Sequence, residues 1–258
     1  MQIIFSFVIC LLATTIGGIS GVGGGVIIKP VLDATSGLAV STVSFLSSCT
    51  VLAMSITTML RNRNSTVKVE TGRGTALALG GAVGGIIGKL LFDLAVATGG
   101  TLVSVLQQVL MIVLTLGVLV YTCNRHRIRT KNVQNFLFCT LIGLIMGIIS
   151  SFLGIGGGPI NLVVLFYFFS MDTKTAALNS LYVILFSQCA SLLNTLTTGK
   201  VPPFQWSMML VMVIGGIVGG LLGRSFSRRM STKRIDQLFI VLLIVITLIS
   251  CYNLLCVL

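Results

Sequence analysis

The chain has 258 residues, of which 55% are hydrophobic and 9% charged, and its mean hydropathy is +1.08. A water-soluble domain of this length could not bury so much apolar surface in one core, so composition excludes a soluble protein. The formal net charge is +12, but the 17 basic residues lie mainly in short connections between apolar runs. This placement argues against a nucleic-acid-binding surface and leaves the lipid bilayer as the predicted partner.

Apolar runs long enough to cross about 30 Å of hydrocarbon recur along the chain and predict an all-α polytopic membrane protein. The first run, residues 3–19, has no Lys or Arg before it and no small-residue cleavage site, so we assign it to the mature protein rather than to a signal peptide. Uninterrupted spans are predicted at residues 38–60, 74–92, 101–121, 175–197, 205–223 and 235–257. No Ser/His/Asp, Cys/His or metal-ligand set lies within the spans, so no enzyme, cofactor or metal site is predicted.

Two sequence patterns occur once in each half of the chain, in the same order. Residues 21–25 read G-V-G-G-G and residues 154–158 read G-I-G-G-G. The pattern G-G-A-V-G-G-I-I-G-K at residues 80–89 returns as G-G-I-V-G-G-L-L-G-R at residues 215–224. The sequence therefore predicts an internal duplication, and we call residues 21–25 and 154–158 the first and second glycine blocks.

Basic residues predict that the two copies are inserted in opposite orientations. Loop 61–73 has four Lys or Arg and its counterpart around residue 200 has one, whereas loop 93–100 has none and its counterpart 224–234 has five. Inverted copies require that each copy cross the membrane an odd number of times. Three spans provide this number, because the hairpin returns to the side of the membrane from which it entered. We expect the basic loops, with the connection 122–132, to face the cytoplasm and both termini to lie outside it.

Inverted repeats with interrupted helices are typical of secondary transporters, in which the interrupted elements form the substrate site. Each predicted repeat is a glycine-interrupted helical hairpin followed by three transmembrane helices. The predicted domains are an N-terminal repeat (residues 1–121), a cytoplasmic linker (122–132) and a C-terminal inverted repeat (133–258). A duplication without transport is the alternative.

Each glycine block predicts a helix break inside the membrane. Irregular backbone at that depth must face protein or a wet cavity, and glycine permits the positive φ angles that a break needs. The helix after each block, expected at residues 26–32 and 159–169, would present free first-turn N–H groups and the positive end of its dipole. Pro159 suits a first turn. Two such helix starts would converge on one small anion. The alternative is that the block glycines only permit close helix packing, which is the role that we expect for the G-x-x-x-G ladders at 80–88 and 215–223.

The candidate substrate-binding residues are the block glycines and polar residues near them. They are Gly21, Gly23, Gly24, Gly25, Gly154, Gly156, Gly157, Gly158, Asn161, Thr42, Ser47, Ser48, Thr50, Asn179, Ser180, Ser187, Gln188 and Lys29. A Ser or Thr hydroxyl can equally bond its own helix, whereas Asn and Gln in an apolar run are costlier and more informative. Lys29 could donate to the anion, pair with Asp33 or reach the membrane interface, and we favour the interface.

These motifs resemble those of the TauE/SafE sulfite exporter family. Each half of that family opens with G-x-G-G-G and an apolar run containing proline, as at residues 21–25 with Pro30 and at 154–158. The A-x-x-T-S element that follows is altered here to A-V-S-T-V at 39–43 and A-A-L-N-S at 176–180. The resemblance covers essentially the whole chain and implies export of sulfite or a related sulfur-containing anion across a bacterial cytoplasmic membrane. A homodimer is left open.

Acidic residues bear on how transport would be driven. Asp33, Glu70, Asp93, Asp172 and Asp236 all lie at or near predicted segment ends, so we expect no mid-span proton relay or cation ligand. An anion leaving an inside-negative cell needs no coupling ion, because the potential contributes about 2.3 kcal/mol per charge per 100 mV. We expect electrogenic export by alternating access, with one repeat rocking against the other. A passive anion channel and a proton-coupled carrier of another small organic anion are the alternatives.

Overall fold

The computed structural model describes residues 2–62, 68–99, 101–155 and 157–257. Within these ranges the chain forms ten α-helices and no strand. In chain order the helices are α1 (Gln2–Ser20), α2 (Gly25–Thr35), α3 (Val40–Asn62), α4 (Thr71–Gly99), α5 (Thr101–Asn124), α6 (Phe136–Leu153), α7 (Pro159–Phe169), α8 (Thr173–Thr197), α9 (Trp206–Arg229) and α10 (Thr232–Val257). The predicted site residue Gly156 and residues 63–67 of a predicted basic loop lie outside the described residues.

Eight of the described helices are long and apolar enough to cross a membrane. Six are the uninterrupted spans predicted from the sequence, and the other two, α1 and α6, precede the glycine blocks. The predicted loop at residues 93–100 is wrong, because α4 continues to Gly99. A 2.8 Å ion pair between Lys89 and Asp93, one turn apart, supports these extra turns. Helix α5 likewise continues to Asn124 and is followed by a 3-10 turn, Arg125–Arg127.

The outer faces of α5 and α10 carry apolar stripes. Exposed apolar side chains recur at intervals of seven residues: Leu106, Val113 and Val120 on α5, and Val241, Leu248 and Leu255 on α10. Seven residues are close to two helical turns, so each set forms one stripe along its helix. Such stripes on the outside of a bundle suit a lipid environment. Together with the eight spans, they make the chain a multi-pass membrane protein.

The fourth helix of each half packs against the other half of the chain. Helix α4 lies along α6 and α8, and α9 lies along α1 and α3. Gly80 of α4 faces Thr140 of α6 and Gly88 faces Ile148, so the two helices run in the same direction. The glycines of α9 step along α1 in the same way. The bundle therefore contains two groups of helices that each combine both halves, α1–α3–α9 and α4–α6–α8.

Glycine permits these close helix crossings. A Cβ atom on Gly84 would overlap the backbone carbonyl of Leu144, well inside the 3.0 Å that real Cβ atoms keep from their neighbours. Gly85, on the neighbouring stripe, faces α8 instead, so α4 uses two stripes of small residues for two partners. The predicted ladders at residues 80–88 and 215–223 are therefore confirmed as helix-crossing surfaces.

Helices α5 and α10, the last of each half, pair with each other and run in opposite directions. The Thr247 hydroxyl donates to that of Thr115 at 2.9 Å, and Arg125, just after α5, forms a 2.8 Å ion pair with Asp236 near the start of α10. Equivalent helices are antiparallel in inverted copies and parallel in copies inserted the same way round. The antiparallel pairing of α5 and α10 therefore favours inverted insertion of the two copies. Inverted insertion, the cytoplasmic face and the domain boundaries all stay predictions.

Candidate functional site

Both glycine blocks break a helix and reverse the chain. The first described glycine of each block has a positive φ, +81° at Gly21 and +65° at Gly154, a conformation that L side chains rarely adopt. A Cβ on Gly24 would meet Thr14, so the chain after the first block folds back along α1. The second arm of the first hairpin, α2, begins at Gly25, one residue before the predicted start, and that of the second, α7, begins at Pro159 as predicted.

The two blocks contact each other and the third helix of the opposite half. A Cβ on Gly25 would overlap the backbone carbonyl of Ile155, so the start of α2 lies directly on the second block. Gly21 packs against Ala177 of α8, and Gly154 packs against α3. The convergence of the blocks, which the sequence predicts from the duplication alone, is thus present in the fold as a direct backbone contact.

The helix starts created by the blocks have no side-chain caps. The N-cap residues are Gly24 for α2 and Gly158 for α7, and neither start has a side-chain cap hydrogen bond. The N–H groups of Ile27 and Asn161, the third residues of α2 and α7, bond back to the N-cap carbonyls at 3.1 Å. The earlier first-turn N–H groups have no acceptor within the helix and lie at the positive end of its dipole. Pro159 occupies the first turn of α7, as predicted. Each start is therefore chemically suited to an anion.

Buried polar groups with unsatisfied atoms lie on the helices that contact the blocks. Those without a hydrogen-bond partner among the described residues include the hydroxyls of Ser44, Ser47, Ser151, Ser180 and Ser187 and the amide oxygens of Asn161 and Gln188. Each of these residues is at most 5% exposed. An unsatisfied buried polar group costs about 1–3 kcal/mol, and native interiors satisfy nearly all of them. The seven groups named above, on α3, α6, α7 and α8, are therefore candidates for contact with a polar solute.

A narrow cavity borders the second block. Its volume is about 10 Å³, close to that of one water-sized sphere, and its lining includes Ser44, Ser48, Ser151, Gly154 and Lys89. The blocks are therefore closely packed in this conformation, with a small polar space beside Gly154. A larger solute would need the helices around it to separate.

Three of these lining residues do not follow from the sequence reasoning. In the sequence, Lys89 stands out only as the match of Arg224 in the duplicated pattern. Its ammonium lies beside the cavity, 2.8 Å from Asp93 and 4.8 Å from the centre of the Phe92 ring. Ser44 lies one helical turn before Ser48, and Ser151 lies one turn before Gly154–Ile155. Helical periodicity around the predicted residues could therefore have identified both serines.

Three predicted binding residues use their polar atoms within the protein. The Thr42 hydroxyl donates to the carbonyl of Pro203 at 3.0 Å, and the Asn179 amide oxygen accepts from the backbone N–H of Glu70 at 3.2 Å. Both bonds hold the connection that precedes the fourth helix of the other half. The Thr50 hydroxyl donates to a carbonyl of its own helix at 2.8 Å. Their hydrogen bonds give these three residues structural roles.

Lys29 is buried and pairs with Asp33, and its position relative to the membrane interface stays a prediction. It is 3% exposed, and its ammonium lies 2.8 Å from Oδ2 of Asp33, the pairing kept as an alternative. The reason is that α2 returns into the bundle, where the amide of Gln108 on α5 lies 3.4 Å from Asp33 and that of Asn253 on α10 donates to the Pro30 carbonyl at 2.8 Å. Asp33 lies two residues before the end of α2, in a cavity also lined by Val40, Ser104 and Cys256 at or near the ends of α3, α5 and α10, so it lies near segment ends as expected.

The family model named Sulfite exporter TauE/SafE matches residues 6–249 of the chain. The chain belongs to the TauE/SafE family. The match runs through both glycine blocks and both glycine ladders, so the resemblance inferred from those motifs is confirmed. TauE/SafE proteins are membrane transporters rather than enzymes, which places this chain in membrane transport. Searches of the curated proteins and of the solved structures gave no match to the chain.

Proposed function

We propose that the protein exports a small sulfur-containing anion, sulfite or an organosulfonate, by alternating access driven by the membrane potential. The observation that carries this proposal is the contact between the start of α2 and the second block, beside buried polar groups that have no hydrogen-bond partner among the described residues. A small oxyanion offers several acceptor oxygens, which backbone N–H groups, serine hydroxyls and amide NH₂ groups can serve as donors. Membership of the TauE/SafE family supports the same class of substrate.

The proposed substrate site combines the block glycines with the buried polar side chains beside them. Besides those glycines, it includes Ser44, Ser47, Ser48, Ser151, Asn161, Ser180, Ser187 and Gln188. These residues come from both halves of the chain, because the blocks lie between α3 and α8. Lys89 would supply a positive charge at the edge of this site.

The moving bodies of this mechanism are the two mixed groups of helices rather than the two sequence repeats. Backbone contacts at the glycine ladders hold α9 to α1 and α3, and α4 to α6 and α8, so separating the repeats would break these contacts. The surface between α3 and α8 instead packs side chains, among them Met54 against Leu181 and Ile184. Sliding at this surface would open the proposed site without disturbing either ladder.

Export driven by the potential makes a direct prediction for the purified protein in liposomes. Sulfite efflux should increase with an inside-negative potential, because 100 mV shifts the equilibrium ratio of a monovalent anion by about fiftyfold. The measurement is flux at potentials set by potassium gradients and valinomycin, with protein-free liposomes as the control. Efflux that does not respond to potential would remove this driving force, and linear, non-saturating flux without counterflow would favour a passive channel.

Substrate class can be tested by thermal unfolding in detergent. Sulfite, thiosulfate, sulfate and sulfoacetate are compared at equal ionic strength with zwitterionic taurine. A ligand at 100 times its Kd stabilises the state it binds by about 2.7 kcal/mol, so a transported anion should raise the unfolding temperature where taurine does not. Equal shifts from every salt would show that no sulfur-containing anion is selected.

Location in a bacterial inner membrane and assembly into a homodimer are proposals of a different kind. The first rests on the family resemblance and on the multi-pass architecture. No contact in the described part of the chain supports a homodimer, which stays a prediction from the sequence.

A further inference from the structure

A second polar cavity lies at the end of α2 that is remote from the glycine blocks. Its volume is about 130 Å³. Its polar lining includes Lys29 and Asp33 of α2, Ser104, Gln107 and Gln108 of α5, and Asn253 of α10. A smaller space of about 10 Å³ shares Lys29, Asp33 and both glutamines with it and reaches Ile155 of the second block. This smaller space lies between the cavity and the second block.

The ion pair in this cavity is buried and incompletely hydrogen-bonded. The side chains of Lys29 and Asp33 are 4% and 10% exposed, and the ammonium lies 2.8 Å from Oδ2 of Asp33. The other carboxylate oxygen, Oδ1, is buried and has no hydrogen-bond partner among the described residues. A buried carboxylate oxygen without a donor is unfavourable, so the ion pair leaves one acceptor of Asp33 unsatisfied.

Two amide oxygens on the same lining lack donors as well. They are Oε1 of Gln107 and Oδ1 of Asn253, both buried and without a partner in the described part of the chain. Their NH₂ groups donate to backbone carbonyls, Gln107 to Phe152 at 2.7 Å and Asn253 to Pro30 at 2.8 Å. These bonds fix which end of each amide is the oxygen, because a carbonyl accepts only from NH₂. These two amide oxygens and Oδ1 of Asp33 are therefore acceptors without a donor among the described residues, beside a lining that also includes the Lys29 ammonium, the Ser104 hydroxyl and the Gln108 amide.

We propose that Asp33 is a proton-binding site that couples a proton to the transported anion. A proton taken from water would turn Oδ1 of Asp33 from an acceptor into a donor for the neighbouring amide oxygens. Lys29 would then lose its counter-ion and carry an uncompensated positive charge, which an anion on the path to the glycine blocks can neutralise. Among the described residues lining the cavity, the other titratable groups are Lys29 and the Cys256 thiol; the lining from α5 is neutral.

This inference rests on the proposed function and modifies its charge balance. One proton leaves with each anion, so the net charge exported per turnover is one unit less negative than the charge of the anion alone. A divalent anion still carries one net negative charge and responds to the potential, whereas a monovalent anion carries none. In the pH range where the carboxylate predominates, each pH unit lowers the protonated fraction, and with it the apparent anion affinity, about tenfold.

The test compares pH profiles of flux in liposomes for the wild type, Asp33→Asn and Glu70→Gln. The asparagine mimics a protonated carboxyl, so Asp33→Asn should keep the low-pH flux of the wild type and lose its dependence on pH. Glu70 is a partly exposed acid 3.6 Å from Arg73, so Glu70→Gln should retain the wild-type profile. Sulfite and thiosulfate are the probes, and comparing the variants at each pH cancels the titration of the anion itself.

A second measurement does not depend on the variant. With thiosulfate as the probe, an entrapped pH indicator should report one proton moved per anion in the wild type. Thiosulfate is used here because bisulfite would carry a proton without any coupling. Proton-free anion flux, or a pH profile that persists in a folded Asp33→Asn protein, would overturn the coupling and leave the proposed function standing. Failure of the wild type to move either anion at any pH would refute the proposed function and the coupling together.

Discussion

Substitution Gly25→Ala should lower anion flux by one to two orders of magnitude, whereas Gly158→Ala, at the equivalent place in the second block, should leave most of it. A Cβ on Gly25 would overlap the Ile155 carbonyl and lie 3.0 Å from the Ser47 hydroxyl, so the two blocks would have to move apart. Overpacking of this kind costs about 1–3 kcal/mol, or about a tenfold to hundredfold effect if the cost falls on the transport cycle.

Gly158 provides the matched control because its surroundings are less restrictive. A Cβ there would meet only the Cδ1 atom of Ile155 at 3.1 Å, the movable end of a side chain. Its φ of −176° is extended backbone that any residue adopts. Flux is measured at equal amounts of folded protein, judged by size-exclusion chromatography. Equal flux in the two variants would show that the contact between the blocks does not matter for transport.

Substitution Gly84→Ala should destabilise the fold itself. The added methyl group would overlap the Leu144 carbonyl at the crossing of α4 and α6, where two backbones are in contact and no side chain can turn away. We expect a loss of about 1–3 kcal/mol of unfolding free energy, measured as a lower midpoint of thermal unfolding in detergent.

Gly117→Ala on α5 is the control for that loss. This glycine is exposed and has nothing within 4 Å of the position a Cβ would take. Alanine should stabilise the helix there by up to about 1 kcal/mol through its higher propensity. If Gly84→Ala unfolds at the same temperature as Gly117→Ala, the ladder does not hold the two helices together.

The sequence by itself determined the properties that depend on neighbouring residues along the chain. Hydrocarbon requires every span to satisfy its own backbone, so apolar runs located six helices, four of them within three residues of their observed ends. Helices α4 and α9 continue to Gly99 and Arg229, six or seven residues beyond the predicted ends and into the predicted loops 93–100 and 224–234. Clustered glycines and Pro159 located the two breaks and the start of α7 for equally local reasons. The duplicated motifs also sufficed to identify the TauE/SafE family and hence membrane transport.

The tertiary structure alone decided which residues meet across the bundle. The duplication makes Gly25 and Gly158 equivalent, yet one lies on the Ile155 backbone and the other beside a movable side chain. Likewise Asp33 ends a helix, but that helix returns into the bundle, so its carboxylate pairs with Lys29 beside a cavity. The physical reason is that hydropathy reports how a residue partitions between water and lipid, whereas contacts between distant segments depend on how two halves pack, and a local pattern does not contain that information.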